Sequence, residues 1–262
     1  MIKLIATDMD GTLLDENKNL PKDFFNTLNK LEDKNIKFVV ASGRPYVTLY
    51  NDFKPYSDNM YFICDNGAYI SEPGKPPIIS SIDKELLHKI LIACENIPNI
   101  VLLLCGIKHT YHKNINNEFN AEINKYYLNK KEVTDFYNID DEIFKIAIYD
   151  EDGSKDNSYL LLAPLFKEKC NIVVSAKNWL DINALNVNKG NALKQIQNDY
   201  NISYNETMVF GDFYNDIEML QSAHYSFVME NANEDMKQYG NYIAKSNKEN
   251  GVLKAIDEYI FI

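Results

Sequence analysis

A chain of 262 residues is long enough to bury a sizeable core and exceeds the commonest domain size, so one large domain or two unequal ones are both open. Hydrophobic residues at 45% and charged residues at 25% are ordinary for a globular protein, and no stretch approaches the roughly 20 apolar residues of a membrane helix. A formal net charge of -11 argues against nucleic acid or an anionic membrane as partner, because either needs a concentrated basic face.

In chain order, the opening MIKLIATDMD sets a short apolar run against two acids, unlike the basic start and longer apolar stretch of a secretory signal. The cytoplasm is therefore the expected compartment. Ile2 to Thr7 reads as a buried strand ending in acids and Gly11. Phe24, Phe25, Leu28 and Leu31 at helical spacing predict a helix over Pro21 to Lys34. A second apolar run, Ile36 to Ala41, ends in Ser42-Gly43-Arg44 and opens another helix, and a third, Tyr61 to Cys64, ends in Asp65-Asn66-Gly67. Alternating strands and helices are the pattern of a parallel sheet with right-handed crossovers.

After Gly67 the pattern changes. Pro73, Gly74, Pro76 and Pro77 punctuate a hairpin, and Asp83 to Asn96 is an amphipathic helix with Leu86, Leu87, Ile90 and Leu91 on one face. Ile100 to Cys105 and Ile107 to Tyr111 read as antiparallel strands joined at Gly106. Asn116 to Leu128 follows as a helix, Ile143 to Tyr149 as a strand, and Ser158 to Lys169 as a helix in which Pro164 is a point of interruption. Ile172 to Ala176 and Trp179 to Asn183 form a second hairpin. From Lys189 the first pattern resumes: a helix to about Tyr200, a strand over Thr207 to Phe210, a helix from Asp216 to Ala223, strands at Tyr225 to Met229 and near Ile243, and a helix from Val252. The four cysteines are scattered without a CxxC pair, which predicts reduced core thiols.

The residue types with chemistry gather at the strand ends. Asp8 and Asp10 are separated by one residue, so on extended backbone they point to the same side, and Gly11 lets the chain turn beyond them. In open parallel sheets the ligand crevice lies at the carboxyl ends of the strands. Ser42-Gly43 supplies a hydroxyl and backbone N–H groups suited to phosphate, Lys189 a cation at a helix start, and Gly211-Asp212-Phe213-Tyr214-Asn215-Asp216 two carboxylates and an amide. A pair of turn acids alone would carry nothing; the recurrence of complementary chemistry after each core strand does.

These residues, DMDGTLLD, SGR, the NGA of Asn66 to Ala68, NKGNAL, GDFYNDIEML and the late MENA and NGV, make the chain resemble the haloacid-dehalogenase-like superfamily. Within it the chain is similar to the Cof-type phosphatases of subfamily IIB, whose large cap is inserted after the third core strand. The resemblance implies an α/β fold: a Rossmann-like parallel-sheet core of residues 1–81 and 184–262, and an inserted α+β cap over 82–183 that governs specificity. It implies a phosphatase acting on a small phosphorylated metabolite, with Asp8 as nucleophile and Asp10 as general acid and base. Mg²⁺ would be held by the Asp8 carboxylate, the Asp10 backbone carbonyl and the Asp212 carboxylate. Met9 N–H, Ser42, Gly43, Lys189 and Asn215 would hold phosphate oxygens, and Asp216 would orient Lys189 or a water on the metal.

That assignment is sound electrostatically. A carboxylate approaching a dianionic phosphate needs positive charge around the transferring oxygens, and an all-oxygen donor set suits Mg²⁺ better than zinc. Two readings of Arg44, the only arginine among 27 basic residues, stand level. It is either a planar two-point contact to substrate or to a crevice carboxylate, or a chance survivor in a lysine-biased chain. Asn66 is open between turn former and substrate contact. His109 and His112, three apart on a predicted strand, point to opposite faces, which favours surface or cap packing over metal binding; Trp179 is open between substrate contact and core, and His88 carries no signal. A phosphomutase using the same Asp8 chemistry and a binding protein without turnover are the rival functions; the latter needs neither nucleophile nor acid.

Overall fold

The computed structural model describes residues 1–114, 123–124 and 127–261. In chain order the first elements are β1 (Leu4–Asp8), α1 (Phe24–Asp33), β2 (Lys37–Ala41), α2 (Tyr46–Asp52), β3 (Tyr61–Cys64), β4 (Tyr69–Ser71) and β5 (Ile78–Ile79). Then come α3 (Lys84–Cys94), β6 (Ile100–Gly106), β7 (Thr110–His112), β8 (Lys130–Glu132), β9 (Ile143–Asp150), α4 (Ser158–Phe166), β10 (Cys170–Ala176) and β11 (Trp179–Ala184). The chain ends with α5 (Lys189–Asp199), β12 (Thr207–Gly211), α6 (Ile217–Leu220), β13 (Tyr225–Met229), β14 (Tyr242–Ala244) and α7 (Gly251–Ile260). Its contacts divide it into two units: 1–46, 53–77 and 188–262 in one, 47–52 and 78–187 in the other.

The first unit is built on sheet strands in the order β14-β13-β12-β1-β2-β3-β4. β1 pairs in parallel with β2 on one side and β12 on the other, so the strand order reverses beside it. All five residues of β1 are buried, as a central strand covered on both faces requires. On one face Leu4, Ala6, Val39 and Ile63 pack with Leu193 and Ile196 of α5 and with Met219 and Leu220 of α6. α1 turns Phe24, Thr27 and Leu31 inward, and Phe24 meets the rings of Phe38 and Phe53 edge-on or tilted. The helix stops where Asn35 adopts the left-handed φ of 56° that commonly closes a helix.

The second unit carries a sheet of order β10-β11-β9-β6-β7-β8, antiparallel except for the β7–β8 pair. α3 starts where the Asp83 side chain accepts the N–H groups of Glu85 and Leu86, each at 3.0 Å. Its buried Leu87, Ile90, Leu91 and Cys94 follow helical spacing and pack with Leu162 and Phe166 of α4 against Leu104, Ile146, Ile148, Leu180 and Ile182. Each such buried aliphatic side chain contributes about 1.5–3 kcal/mol.

Several local expectations change. α4 runs on past Pro164, because a proline in the last turns removes a single main-chain bond. Gly106 stays in β6 and the link to β7 spans Ile107 to His109. The helix expected from Asp216 to Ala223 is one short turn, α6, entered through a tighter 3-10 turn at Tyr214–Asp216. The helix expected over Asn116 to Leu128 lies largely outside the described residues. All four cysteines are buried and none is in a disulfide.

Candidate active site

Parallel pairing sets Asp8 opposite Ala41 and Thr7 opposite Phe210, which brings the carboxyl ends of β1, β2 and β12 to one edge of the sheet. α5 arrives at the same edge because Asn188 caps it, its side chain accepting the Asn191 N–H at 2.7 Å. Lys189, the first helical residue, is thereby placed among the acids with its side chain fully buried. Its Nζ donates to Asp8 Oδ1 at 2.5 Å and to Asp216 Oδ1 at 2.7 Å. The other Asp216 oxygen accepts the N–H groups of Asp212 at 3.0 Å and Phe213 at 3.1 Å. Asp216 thus has both oxygens committed, one to Lys189 and one to the loop that carries Asp212.

Asp212 accepts the Thr12 hydroxyl on Oδ1 at 2.8 Å, so the turn after β1 and the loop after β12 are tied together. That approach requires a glycine beside it. Gly11 has φ +88°, and a Cβ on it would lie 2.8 Å from Asp212 Cγ. Gly211 is constrained likewise, since its Cβ would stand 2.8 Å from Asp216 Cγ.

Asp10 faces different company. Arg44 donates to it through two nitrogens, Nε to Oδ2 at 3.0 Å and Nη2 to Oδ1 at 2.7 Å, and Lys18 Nζ adds a third bond to Oδ1 at 2.7 Å. Of the two readings of the lone arginine, the structure shows the two-point contact, made to a carboxylate of the site. Met9 between the acids is buried, and its carbonyl accepts the Leu14 N–H at 2.9 Å.

The helix expected to open at Ser42-Gly43 starts later, at Tyr46. Pro45 biases the residue before it toward extended backbone, so Ser42, Gly43 and Arg44 form a loop and their N–H groups are not the first turn of a helix. Ser42 is buried and its Oγ accepts the Arg44 N–H at 3.2 Å. Gly43 lies against Asn66, whose Nδ2 would be 3.3 Å from a Cβ there. Asn66 has a left-handed φ of 57°, donates its N–H to the Ser42 carbonyl at 3.0 Å, and accepts Asn215 Nδ2 at 3.0 Å. It is a turn residue and also the tie between Ser42 and Asn215.

Sequence reasoning did not single out Thr12, Lys18 or Asn231, whose amide donates to the Gly11 carbonyl at 2.8 Å. Thr12 and Asn231 stand inside quoted motifs; nothing in the sequence marks Lys18. The other candidates belong to the second unit. His109 Nδ1 is 2.9 Å from Asn129 Oδ1, and His112 Nδ1 is 2.8 Å from the Lys113 carbonyl. Trp179 packs its ring 5.2 Å from that of Tyr149.

The charge balance tests whether a metal ion fits. Asp8, Asp212 and Asp216 each offer an oxygen, all within 4.8 Å of one another. Lys189 is the cation bonded among them. Burial, with the negative charges of Asp216 and Asp212, pushes Asp8 up to about 8 against the pull of Lys189. Asp212 is pushed up to about 6, chiefly by burial and by Asp216, with the Thr12 bond opposing. Burial works against the Lys189 charge, but Asp216 and Asp8 outweigh it and hold the ammonium charged. For Asp10 burial is likewise outweighed, here by Arg44 and Lys18, and its carboxyl is held below the usual range. A buried cluster with acids in excess and a purely oxygen donor set fits a hard divalent cation.

A model of the haloacid dehalogenase-like hydrolases matches residues 5–256. The chain belongs to that family. It is 31% identical to the 5-amino-6-(5-phospho-D-ribitylamino)uracil phosphatase YbjI of Escherichia coli, over 99% of this chain and 96% of that protein. The crystal structure of SMU.1108c from Streptococcus mutans is similar over the full length of both chains, with a TM-score of 0.86 and 31% identity. The sugar phosphatase BT4131, of HAD subclass IIB, shares the fold with a TM-score of 0.80 at 23% identity, over 99% of this chain and 100% of its own. The family assignment makes this chain a phosphatase of the phosphomonoester-hydrolase class and fits its α/β fold with a parallel-sheet core. Among the described residues no helix is long and apolar enough to cross a membrane.

Proposed function

We propose that this phosphatase is Mg²⁺-dependent and cytoplasmic, and that it hydrolyses small phosphorylated metabolites, sugar phosphates or related phosphomonoesters, through a phosphorylated Asp8. The observation that carries the reading is the buried Lys189 ammonium bridging Asp8 and Asp216 beside Asp212. Lys189 fixes Asp8 by Oδ1, which leaves Oδ2 to attack phosphorus as the ester P–O bond breaks. Asp10, held ionised by Arg44 and Lys18 in the resting chain, takes up a proton from solvent as the phosphate dianion enters beside it and gives that proton to the departing alkoxide; its carboxylate then takes a proton from the water that attacks the acyl phosphate. Phosphate and the free Asp8 carboxylate are regenerated. Met9 N–H, Ser42, Gly43, Lys189 and Asn215 hold the phosphate oxygens, and Asp216 keeps Lys189 and the Asp212 loop in place.

Asp8, Asp212 and the Asp10 carbonyl would hold Mg²⁺, which when bound supplies positive charge against the phosphate oxygens. The insert, 82–183, acts as the cap that selects the alcohol portion of the substrate. The E. coli relative is named for a phosphate on a ribityl chain, which makes phosphorylated polyols and sugars the first class to assay.

The test is phosphate release from 5-amino-6-(5-phospho-D-ribitylamino)uracil and a panel of sugar phosphates, before and after EDTA and after Mg²⁺ is restored. Release that stops with EDTA and returns with Mg²⁺ is expected. Equal rates without metal would refute the Mg²⁺ site. Isomer interconversion without net release would make the chain a phosphomutase, and binding without either would make it a regulator.

A further inference from the structure

We propose that Lys18 is a positioning residue for Asp10, an inference that rests on the acid and base reading of Asp10. Lys18 sits in a turn that the Asp15 side chain staples shut. Asp15 Oδ1 accepts the N–H groups of Asn17 and Asn19, each at 2.8 Å, its carbonyl accepts the Lys18 N–H at 3.0 Å, and its own N–H reaches the Asn19 carbonyl at 3.0 Å. Within that turn the left-handed position, φ 65°, is occupied by Lys18. Either flanking asparagine would take such a φ more readily than an unbranched cationic side chain. Strained backbone of this kind points toward function when the turn aims the side chain at a reacting group. Here it sets Nζ 2.7 Å from Asp10 Oδ1.

The pair is not there for stability. Lys18 is 60% exposed and Asp10 37%, and ion pairs this open add little to a fold. Orientation is the other contribution an ion pair makes. Arg44 grips the carboxylate in one plane from the loop after β2, whereas Lys18 reaches Oδ1 from the turn after β1. Cations from two separate segments limit both the rotation and the displacement of a side chain that must deliver a proton to one atom of the leaving group. A misplaced general acid loses rate on poor leaving groups, which need the proton, and far less on good ones.

The experiment compares Lys18→Met, which keeps the stem and the backbone demand, with Lys18→Arg and Asp10→Asn. Each is assayed in saturating Mg²⁺ on an aliphatic phosphate substrate and on p-nitrophenyl phosphate. Lys18→Met is expected to lower the ratio of aliphatic to aryl kcat by about tenfold, a fraction of the full general-acid contribution, with KM and melting temperature little changed. Lys18→Arg should recover most of the ratio. An unchanged ratio in Lys18→Met alongside a collapsed one in Asp10→Asn would overturn the Lys18 role alone. Equal losses on both substrates, or no recovery in Lys18→Arg, would overturn it too. An unchanged ratio in Asp10→Asn would remove the acid and base reading, and the Lys18 proposal with it.

Discussion

The two ends of the central parallel sheet use the same residue types in opposite ways. At the carboxyl end a buried Lys189 is shared by Asp8 and Asp216, with Asp212 beside them. At the amino end Glu72 accepts Lys75 Nζ and the Tyr200 hydroxyl, each at 2.7 Å, and Lys37 and Lys75 lie 3.9 and 4.6 Å from the centre of the Tyr200 ring. Lysines outnumber the acid there, the Lys75 stem is half exposed, and cations over aromatic faces are worth about 0.5–1 kcal/mol at such sites. Burial pushes Asp8 up, whereas Lys75 and Tyr200 outweigh burial and hold Glu72 down. The contrast teaches that a buried cluster of acids and lysines signals chemistry when the acids outnumber their cation, and signals structure when lysines outnumber a single buried carboxylate.

The sharpest way to break the comparison is at Asp8. Asp8→Asn should cut turnover by about 10⁴-fold or more while the fold survives, because the change removes the proposed nucleophile and one of the crowded negative charges. Normal steady-state turnover in a well-folded variant would end the assignment. Next in size is Lys189→Met, which strands Asp8 and Asp216 as buried acids without their shared cation. It should cost about 3–5 kcal/mol in denaturant unfolding, whereas Lys75→Met, which leaves buried Glu72 the Tyr200 hydroxyl, should cost less, about 1–2 kcal/mol. Equal losses would show that the two ends are energetically alike.

Arg44→Lys keeps a charge beside Asp10 and loses the two-point geometry. It is expected to lower kcat/KM on the best substrate by about tenfold, roughly 1.4 kcal/mol, with little change in melting temperature. Wild-type kinetics would make the bidentate contact structural.

The smallest effect is a pH dependence of the metal-free protein. The folded chain holds the Asp8 proton up to about 8, against 3.8 ordinarily, so it binds more protons than the unfolded chain between those values and stability falls as pH rises through that window. In EDTA the melting temperature should fall by a few degrees from pH 6 to pH 8, and Asp8→Asn should flatten that slope. A flat profile in the wild-type chain would argue that Asp8 is not strained by its neighbours.

Much of this was legible from one sequence because strand ends carry their signal locally. DMDG, GDFYND and the Lys189 helix start each join an apolar run to a polar turn, and parallel pairing can bring such ends to one edge. Failures cluster where local pattern is silent. β8, Lys130–Glu132, is a charged edge strand with no apolar alternation to reveal it. The helix start after Ser42 was misplaced because Pro45 outweighed the motif's appearance, and α6 ended early because its neighbours pack as tighter turns.

The sequence alone therefore determined the order of most elements and which residue types stand at the strand ends, since hydrophobic period, glycine placement and motif chemistry are properties of neighbours in the chain. Only the tertiary structure decided which charges meet. Nothing local says that Arg44 and Lys18 both grip Asp10, that Asn66 ties Ser42 to Asn215, or that Asp216 commits both oxygens to Lys189 and the Asp212 loop. Those pairings join residues up to 149 positions apart. Coulombic and hydrogen-bond energies depend on distance and burial, which the fold sets and residue order does not.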